Sequence, residues 1–378
     1  MKFSKISLQN WKNFATVEGV PLQDRCFLIG PNASGKSNLL DVFRFLKDLA
    51  AEGLYKAVNA RGGVSKLRAA AGRRHSSLII DCSLTSQNND EWQYYLEIKQ
   101  NNQRIPYVER EHVKKNDHTV LDRPLKEERS DSELISQTYL EQVSMNRNFR
   151  EIANHFKSIN YLHVVPHIIR EQGRIVPQED DPYGSDFLDH ISKVNANTRK
   201  AWLKRIEDAV KIAVPQFEDF KLEKDNKGVP HLMVRYKHWR RHGSWQNESD
   251  MSDGTLRLLG FLWALLEGKG LLLLEEPELS LHPEVVRNLP QIMAKVERKS
   301  QRQIIVSTHS PEMLADEGIA PEEVLLLIPG EEGTQIMTGF ESQRIKSMME
   351  AGLSAAESAF PEAAPENPEQ LSLLDWTK

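Results

Sequence analysis

The sequence predicts an α/β protein built on a mixed, largely parallel sheet flanked by helices, and three observations carry that expectation. The apolar run "RCFLI" ends in the glycine-rich stretch Gly30-Pro31-Asn32-Ala33-Ser34-Gly35-Lys36-Ser37, and a segment of helical spacing follows it. Four leucines, Leu271 to Leu274, end on the adjacent carboxylates Glu275 and Glu276. Such a run reads as a strand buried on both faces that presents charge at its carboxyl end, where ligands bind in open α/β sheets. Between and around these segments, strand-like and helix-like patterns alternate. The 378 residues, 39% hydrophobic, are enough for a large core.

Taken in order, "KFSKISLQNW" and "KNFATVEGVPL" alternate polar and apolar residues around a polar turn and read as two short strands leading into "RCFLIG". Apolar residues at Leu39, Val42, Phe43, Leu46 and Leu49 then set a helical period over Asn38 to Ala51. "SLIIDCSL" and "WQYYLEIKQ" read as strands, and the charged, proline-broken stretch from about Glu109 to Ser132 reads as a mobile loop. A helical pattern runs from Asp131 to Phe156, "SINYLHVVP" suggests a strand, and Asp186 to Val214 suggests one or two helices closed by Pro215. "FEDFKLEK" and "HLMVRYKHW" are expected strands, and "SDGTLRLLGFLWALLEG" opens a helix. The remaining order is strand (271–274), helix (285–296), strand "RQIIVSTHS" and strand "EVLLLIP". From about Ser354 the Ala-, Glu- and Pro-rich composition predicts a disordered extension. No heptad repeat is sustained, which excludes a long coiled coil.

The formal net charge is −5 and 27% of residues are charged, so no overall basic character announces a nucleic-acid binder. Two cysteines, Cys26 and Cys82, in apolar strand-like surroundings do not make a disulfide framework and favour a reducing cytoplasm. No segment reaches the roughly 18 uninterrupted apolar residues of a membrane helix, and none is expected to enter a membrane.

The glycine-rich stretch matches G-x-x-x-x-G-K-[S/T] in its proper strand-to-helix context. Its backbone N–H groups and those of the helix start, through Asn38, would face phosphates. Lys36 would bring charge to the outer phosphates, and the Ser37 hydroxyl would ligate Mg²⁺. A nucleotide such as ATP with its metal gives the paired glutamates a use: Glu275 at the metal, Glu276 orienting or deprotonating water.

The set resembles the ATP-binding-cassette ATPases of the SMC, RecF and OLD type. Five elements stand in the expected order: the phosphate loop, the signature-like "MSDGTLR" (251–257), the Walker B strand, the "PELSLHP" loop, and "STHSP" with His309. The motif resemblance covers roughly residues 1–100 and 230–330. It implies an ABC-type P-loop ATPase head with an antiparallel β lobe and a helical insertion. The implied organisation is 1–100 for the phosphate loop and β lobe, 101–215 for a mainly helical insertion or lid, 216–345 for signature, Walker B and switch histidine, and 346–378 for a flexible tail. It also implies two heads that dimerise around ATP, with Ser252 and Gly254 of one protomer contacting the γ-phosphate held by the other. Glu278 to His282 would form the interface loop, and His309 would sense the γ-phosphate as one of three catalytic groups with Glu276 and Lys36.

The departures matter too. Glu275 stands where related proteins usually carry aspartate, the signature is "SDGT", and the glutamine loop falls equally on Gln87, Gln93, Gln137 or Gln142. The seventy or so residues after "STHSP" lack the acidic cluster and length of a nuclease domain. The resemblance implies service in DNA repair or antiviral defence, through DNA or a separately encoded effector such as a nuclease. Two rivals stay open: a RecF-like repair or replication ATPase, and a nucleotide-gated scaffold that does not hydrolyse.

Local basic segments, Arg235 to Trp245 and Leu67 to His75, could hold nucleic acid, although solvated surface charge accounts for them better. The pentapeptide "QLSLL", Gln370 to Leu374, resembles the docking peptide by which bacterial proteins bind the DNA polymerase sliding clamp. The alternative is an amphipathic end folded back on the core with Trp376 as anchor.

Overall fold

The structure is a computed structural model and describes residues 1–69, 76–170, 181, 183–237, 245–365 and 368–374. Strands β1 (Lys2–Trp11) and β2 (Phe14–Pro21) form an antiparallel hairpin, and the chain enters β3 (Arg25–Ile29) and then the phosphate-loop helix Lys36–Glu52. β4 (Leu78–Thr85) returns to pair with β1, followed by β5 (Glu91–Gln100), β6 (Pro106–Lys115) and β7 (His118–Arg123). The resulting antiparallel lobe has the order β2-β1-β4-β5-β6-β7.

Here the structure corrects the sequence reading. Residues 109–132 are not a loop throughout: β6 and β7 extend the lobe through Arg123, so a mainly helical unit does not begin at residue 101. The buried positions along β6 include Val108, Glu111 and Val113, and its pairing register shifts opposite Glu97 and Ile98. A bulge therefore breaks the period-2 signal, and the inward position after it is a glutamate. Glu111 is fully buried and accepts from the Tyr94 hydroxyl (3.0 Å) and the Tyr139 and Leu140 amides (2.7 and 3.1 Å), with Arg123 Nη1 at 3.4 Å. Arg123 in turn donates to the Gln137 and Leu134 carbonyls. This network pins the next stretch onto the lobe. Residues 131–156 are helical only in short turns before the helix Arg150–Lys157.

β8 (Asn160–Leu162) joins the second sheet, and the helices Phe187–Lys193 and Ala196–Ala213 follow. A small antiparallel sheet holds β9 (Phe217–Lys224), β10 (Pro230–Tyr236) and β11 (Trp245–Gln246). Then come the helix Asp253–Leu266, β12 (Leu272–Glu275), the helix Leu289–Ser300, β13 (Ile304–Ser307), β14 (Val324–Ile328) and β15 (Gln335–Thr338). The core sheet runs β15-β14-β3-β13-β12-β8, parallel except for β15.

The strands of this sheet are apolar on both faces because both faces are covered. Leu28, Leu271, Leu273 and Ile305 pack with the phosphate-loop helix and the lobe. Phe27, Leu272, Leu274 and Val306 pack with the helices Asp253–Leu266 and Leu289–Ser300. Two fully buried side chains beside β13 set the registration. Gln303 donates to the Phe3 and Gln23 carbonyls and accepts from the Phe3 amide, joining lobe to core. Arg302 donates to the Gly270, Ala264 and Glu267 carbonyls, joining the end of the helix Asp253–Leu266 to the start of β12.

The C-terminal stretch is a second correction. A helix at Gln343–Glu350 spans the expected tail boundary, and Ala355, Ala359 and Ala363 are buried at a spacing of four against the turn Pro311–Leu314 and β14. Small side chains permit that close approach, so an alanine-rich composition here marks packing. Leu373 and Leu374 are exposed at 79% and 55%, and Trp376 lies outside the described residues.

Candidate functional site

The parallel strands β3, β12 and β13 end side by side, and the polar residues following them face one another. After β3 the chain turns through Gly30 to Gly35, and the phosphate-loop helix begins with Gly35 in a left-handed conformation (φ 102°) and no side-chain cap. Its first N–H groups are thus not taken by a capping side chain, the arrangement that receives an anion. A Cβ at Gly30 would lie 2.6 Å from the Leu327 carbonyl oxygen and from Ser34 Oγ, and one at Gly35 would collide with the Asn13 amide. Both glycines are therefore required for the close approach of the loop to its neighbours.

Within the loop, Ala33 also has positive φ (63°), Asn32 and Ala33 are exposed, and Pro31 is half-buried. Ser34 is fully buried, and its Oγ has no hydrogen-bond partner among the described residues. Its carbonyl accepts from Asn13 Nδ2 (2.8 Å) and Thr334 Oγ1 (2.8 Å). Asn38 directs its amide to Asn13 Oδ1 (2.8 Å), so its side chain pins the loop to the β1–β2 turn. Asn13 and Thr334 carried no motif signal; only the fold brings them to Ser34.

Lys36 is buried and donates to the Gly30 and Pro31 carbonyls at 2.8 and 3.0 Å. Burial pushes its pKa down to about 8, against the opposing pull of Glu276 and Glu275. An ammonium held on two loop carbonyls could exchange them for the oxygens of an anion.

At the end of β12, the Ser37 hydroxyl donates to Glu275 Oε1 and the Tyr161 hydroxyl donates to Oε2. His163 Nδ1 lies 3.3 Å from the Glu275 carbonyl oxygen. Tyr161 and His163 were missed by motif reading: they come from β8 and the residue after it. Burial and the Glu275 carboxylate push the Tyr161 hydroxyl well above the ordinary phenol range, so it stays a donor. A serine hydroxyl and a carboxylate are hard oxygen donors suited to Mg²⁺, so Ser37 and Glu275 fit the expected metal.

Glu276 follows with φ 44°, a left-handed conformation uncommon for a non-glycine residue, and its amide donates to the Ser307 carbonyl (3.0 Å). Its Oε1 lies 3.4 Å from His309 Nε2, and both side chains remain partly exposed. Burial first, then the charge of Lys36, lowers the His309 pKa, with Glu276 opposing. The neighbouring Glu278 is buried and accepts from Thr308 Oγ1 (2.6 Å) and the His309 amide (3.0 Å), fixing the turn that carries the histidine; burial raises its pKa. Lys36, Ser37, Glu275, Glu276 and His309 thus form one polar cluster at the carboxyl ends of three strands.

Ser252 and Gly254 stand at the start of the helix Asp253–Leu266. Ser252 is its exposed N-cap and accepts from the Thr255 amide at 3.2 Å. A Cβ at Gly254 would collide with the Ser280 carbonyl oxygen, so this glycine has a packing role within its own protomer. Arg170 donates to the Met251 carbonyl and pairs with Asp253 at 2.6 Å, fixing the entry to the helix.

The glutamine-loop candidates lie elsewhere. Gln93 donates to Asp81 at 2.9 Å, Gln142 donates to Gln137 at 3.0 Å, and Gln87 lies in the turn after β4. Residues 70–75 and 238–244, which carry most of the two basic segments, lie outside the described residues. Lys221 and Arg235 do stack over Trp245, 4.3 and 5.2 Å from its ring centroid. Among the described residues no helix is long and apolar enough to cross a membrane.

A family model described as "AAA domain, putative AbiEii toxin, Type IV TA system" matches residues 26–315. No curated protein is significantly similar in sequence. Among solved structures, an SMC head bound to the C-winged helix domain of ScpA is 14% identical, over 89% of this chain and 97% of that one, at a TM-score of 0.55. An SMC head domain with an extended coiled coil, bound to the C-terminal domain of ScpA and derived from Pyrococcus furiosus, is 12% identical over 92% and 99%, at 0.53. An SMC head domain with a coiled coil and joint, derived from Pyrococcus yayanosii, is 10% identical over 93% and 99%, at 0.52. The fold is that of an ABC-type ATPase head, and the likeness spans the middle of the chain as well as the motif-bearing parts.

Proposed function

The chain belongs to the AAA-domain family matched over residues 26–315, and from that membership and the site geometry we propose an ATP-driven molecular switch that hydrolyses ATP between paired heads. The observation that carries the reading is the convergence of Lys36, the Ser37–Glu275 hydrogen bond and the Glu276–His309 pair at one end of the core sheet. The loop N–H groups and Lys36 bind the phosphates, while Ser37 and Glu275 hold Mg²⁺, which would offset charge on the transferring phosphoryl group. Glu276, open to solvent on one side, orients water and takes its proton. His309, held by Glu278 through the backbone, contacts the γ-phosphate and changes partner when it leaves. Ser252, with its helix N-terminus behind it, serves the phosphate of the second head.

The switch acts on DNA or on a partner effector such as a nuclease, in antiviral defence. The family description, which names a toxin–antitoxin system, supports an effector-coupled role over a housekeeping repair ATPase. The exposed Leu373 and Leu374 beside Gln370 are compatible with docking to a sliding clamp. The deciding experiment is steady-state ATP hydrolysis with and without duplex DNA, alongside the mass of the particle with and without ATP. Turnover that Lys36→Ala abolishes, together with ATP-dependent dimers, is the expected result. ATP-dependent dimers without turnover would leave a nucleotide-gated scaffold, and no nucleotide binding at all would overturn the reading.

A further inference from the structure

The metal carboxylate is held by more than the phosphate loop. β8 pairs in parallel with β12, Tyr161 opposite Leu273, so Tyr161 projects to the same face as Leu273 and Glu275. Two residues along a strand span about 6.6 Å, and the long tyrosine side chain crosses that offset to place its hydroxyl on Glu275 Oε2. Glu275 carries a flexible side chain at the exit of a strand, where no later residue of β12 confines it. Its two oxygens are divided: Oε1 takes the Ser37 hydroxyl and Oε2 takes Tyr161. The phenol ring is itself fixed, with the Arg44 guanidinium carbon 4.2 Å from its centroid, and Arg44 belongs to the phosphate-loop helix. His163, two residues on, meets the Glu275 carbonyl.

We propose that Tyr161 is a positioning residue of the metal site: by holding Oε2 it fixes the Glu275 carboxylate so that Oε1 orients the Ser37 hydroxyl and leaves the serine lone pairs for the cation. The proposal rests on the Mg²⁺–ATP reading above. Hydrogen bonds of this kind to a ligating carboxylate set its orientation, and their loss typically weakens metal affinity by about 10- to 100-fold. Because Tyr161→Phe keeps the ring on Arg44 and removes only the donor, the effect is isolated from packing.

The test is binding of a fluorescent ATP analogue as a function of Mg²⁺ concentration, with a parallel titration in EDTA and thermal melting of the nucleotide-free protein. In Tyr161→Phe the Mg²⁺ concentration for half-maximal binding should rise by roughly 10-fold or more. Metal-free binding and the melting temperature should stay at wild-type values. In a Glu275→Ala background Tyr161→Phe should add nothing, since the two act as one unit. Unchanged Mg²⁺ dependence in Tyr161→Phe, with nucleotide binding still lost in Lys36→Ala, overturns the positioning role and leaves the nucleotide site standing. Equal loss of metal-free binding and of thermal stability makes Tyr161 structural and also overturns it. A wild type that binds no nucleotide, or a Lys36→Ala that binds it normally, overturns the underlying reading instead.

Discussion

Glu111 in the antiparallel lobe and Glu276 at the end of β12 are glutamates in opposite circumstances. Glu111 is fully buried, and both its oxygens are engaged, by a phenol, two backbone amides and a guanidinium. Glu276 is partly exposed, strained at φ 44°, and its carboxylate lies 3.4 Å from the His309 ring. A saturated carboxylate is a fastener, because every lone pair is committed to holding the fold. An unsaturated one at a strand end has capacity left for water and substrate, and the surrounding structure must hold it in place. On the proposed function, the lobe and the core sheet thus put the same side chain to structural and to chemical use.

That contrast can be broken at either end. The largest effect is expected in the lobe: Glu111→Ala removes one of the two carboxylates beside buried Arg123, leaving Glu128 at 3.5 Å, and takes the acceptor from the Tyr94 hydroxyl and the Tyr139 and Leu140 amides. It should lower unfolding free energy by about 3–5 kcal/mol, measured by denaturant titration. Nucleotide binding by the fraction that remains folded should persist, and a mutant of wild-type stability would show that the network is not a fastener. Glu276→Gln should behave in the opposite way, with turnover down by at least about 100-fold and the melting temperature unchanged. A parallel fall in stability would erase the distinction.

Gly254 sharpens the comparison because it belongs to both classes. The Cβ of Gly254→Ala must displace the Ser280 carbonyl, so a loss of about 1–3 kcal/mol in stability is expected. ATP-dependent pairing should fail with it, whereas Ser252→Ala should weaken pairing with a smaller stability change. The smallest effect at neutral pH concerns acid, since it accrues only as pH falls. His155, buried against Phe3 and Phe156 where lobe meets core, has its pKa pushed down to about 3, chiefly by burial. The unfolded chain takes up its proton below pH 6.5 while the native state resists until about 3, so stability is intact above 6.5 and declines as pH falls through that window. His155→Leu should flatten the acid limb of the stability profile, by up to about 1.4 kcal/mol per pH unit. An unchanged slope would assign the acid sensitivity elsewhere.

The legibility of these parts followed their chemistry. The run "LLLLEE" was readable because a strand covered on both faces needs apolar residues at every position, and Leu271 to Leu274 are all buried. β6 and β7 were not, because a bulge shifts the alternation and the inward residue is Glu111, which composition assigns to the surface. The stretch around Ala355, Ala359 and Ala363 was misread in the same way: alanine contributes little apolar signal, yet its smallness is what lets the chain lie against residues 311–314.

The sequence by itself determined the phosphate loop, the paired glutamates, the helix-capping Ser252 and the histidine after β13, because each is a contiguous segment whose chemistry is complete within a few residues. What only the tertiary structure decided is how those segments are held. Thr334 reaches the Ser34 carbonyl from 300 positions away, and Tyr161 meets Glu275 from a strand 114 positions earlier. Such hydrogen bonds leave no periodicity or local pattern in the chain. They exist because strands far apart in sequence are brought side by side, and the packing of the sheet chooses which side chains converge at its end.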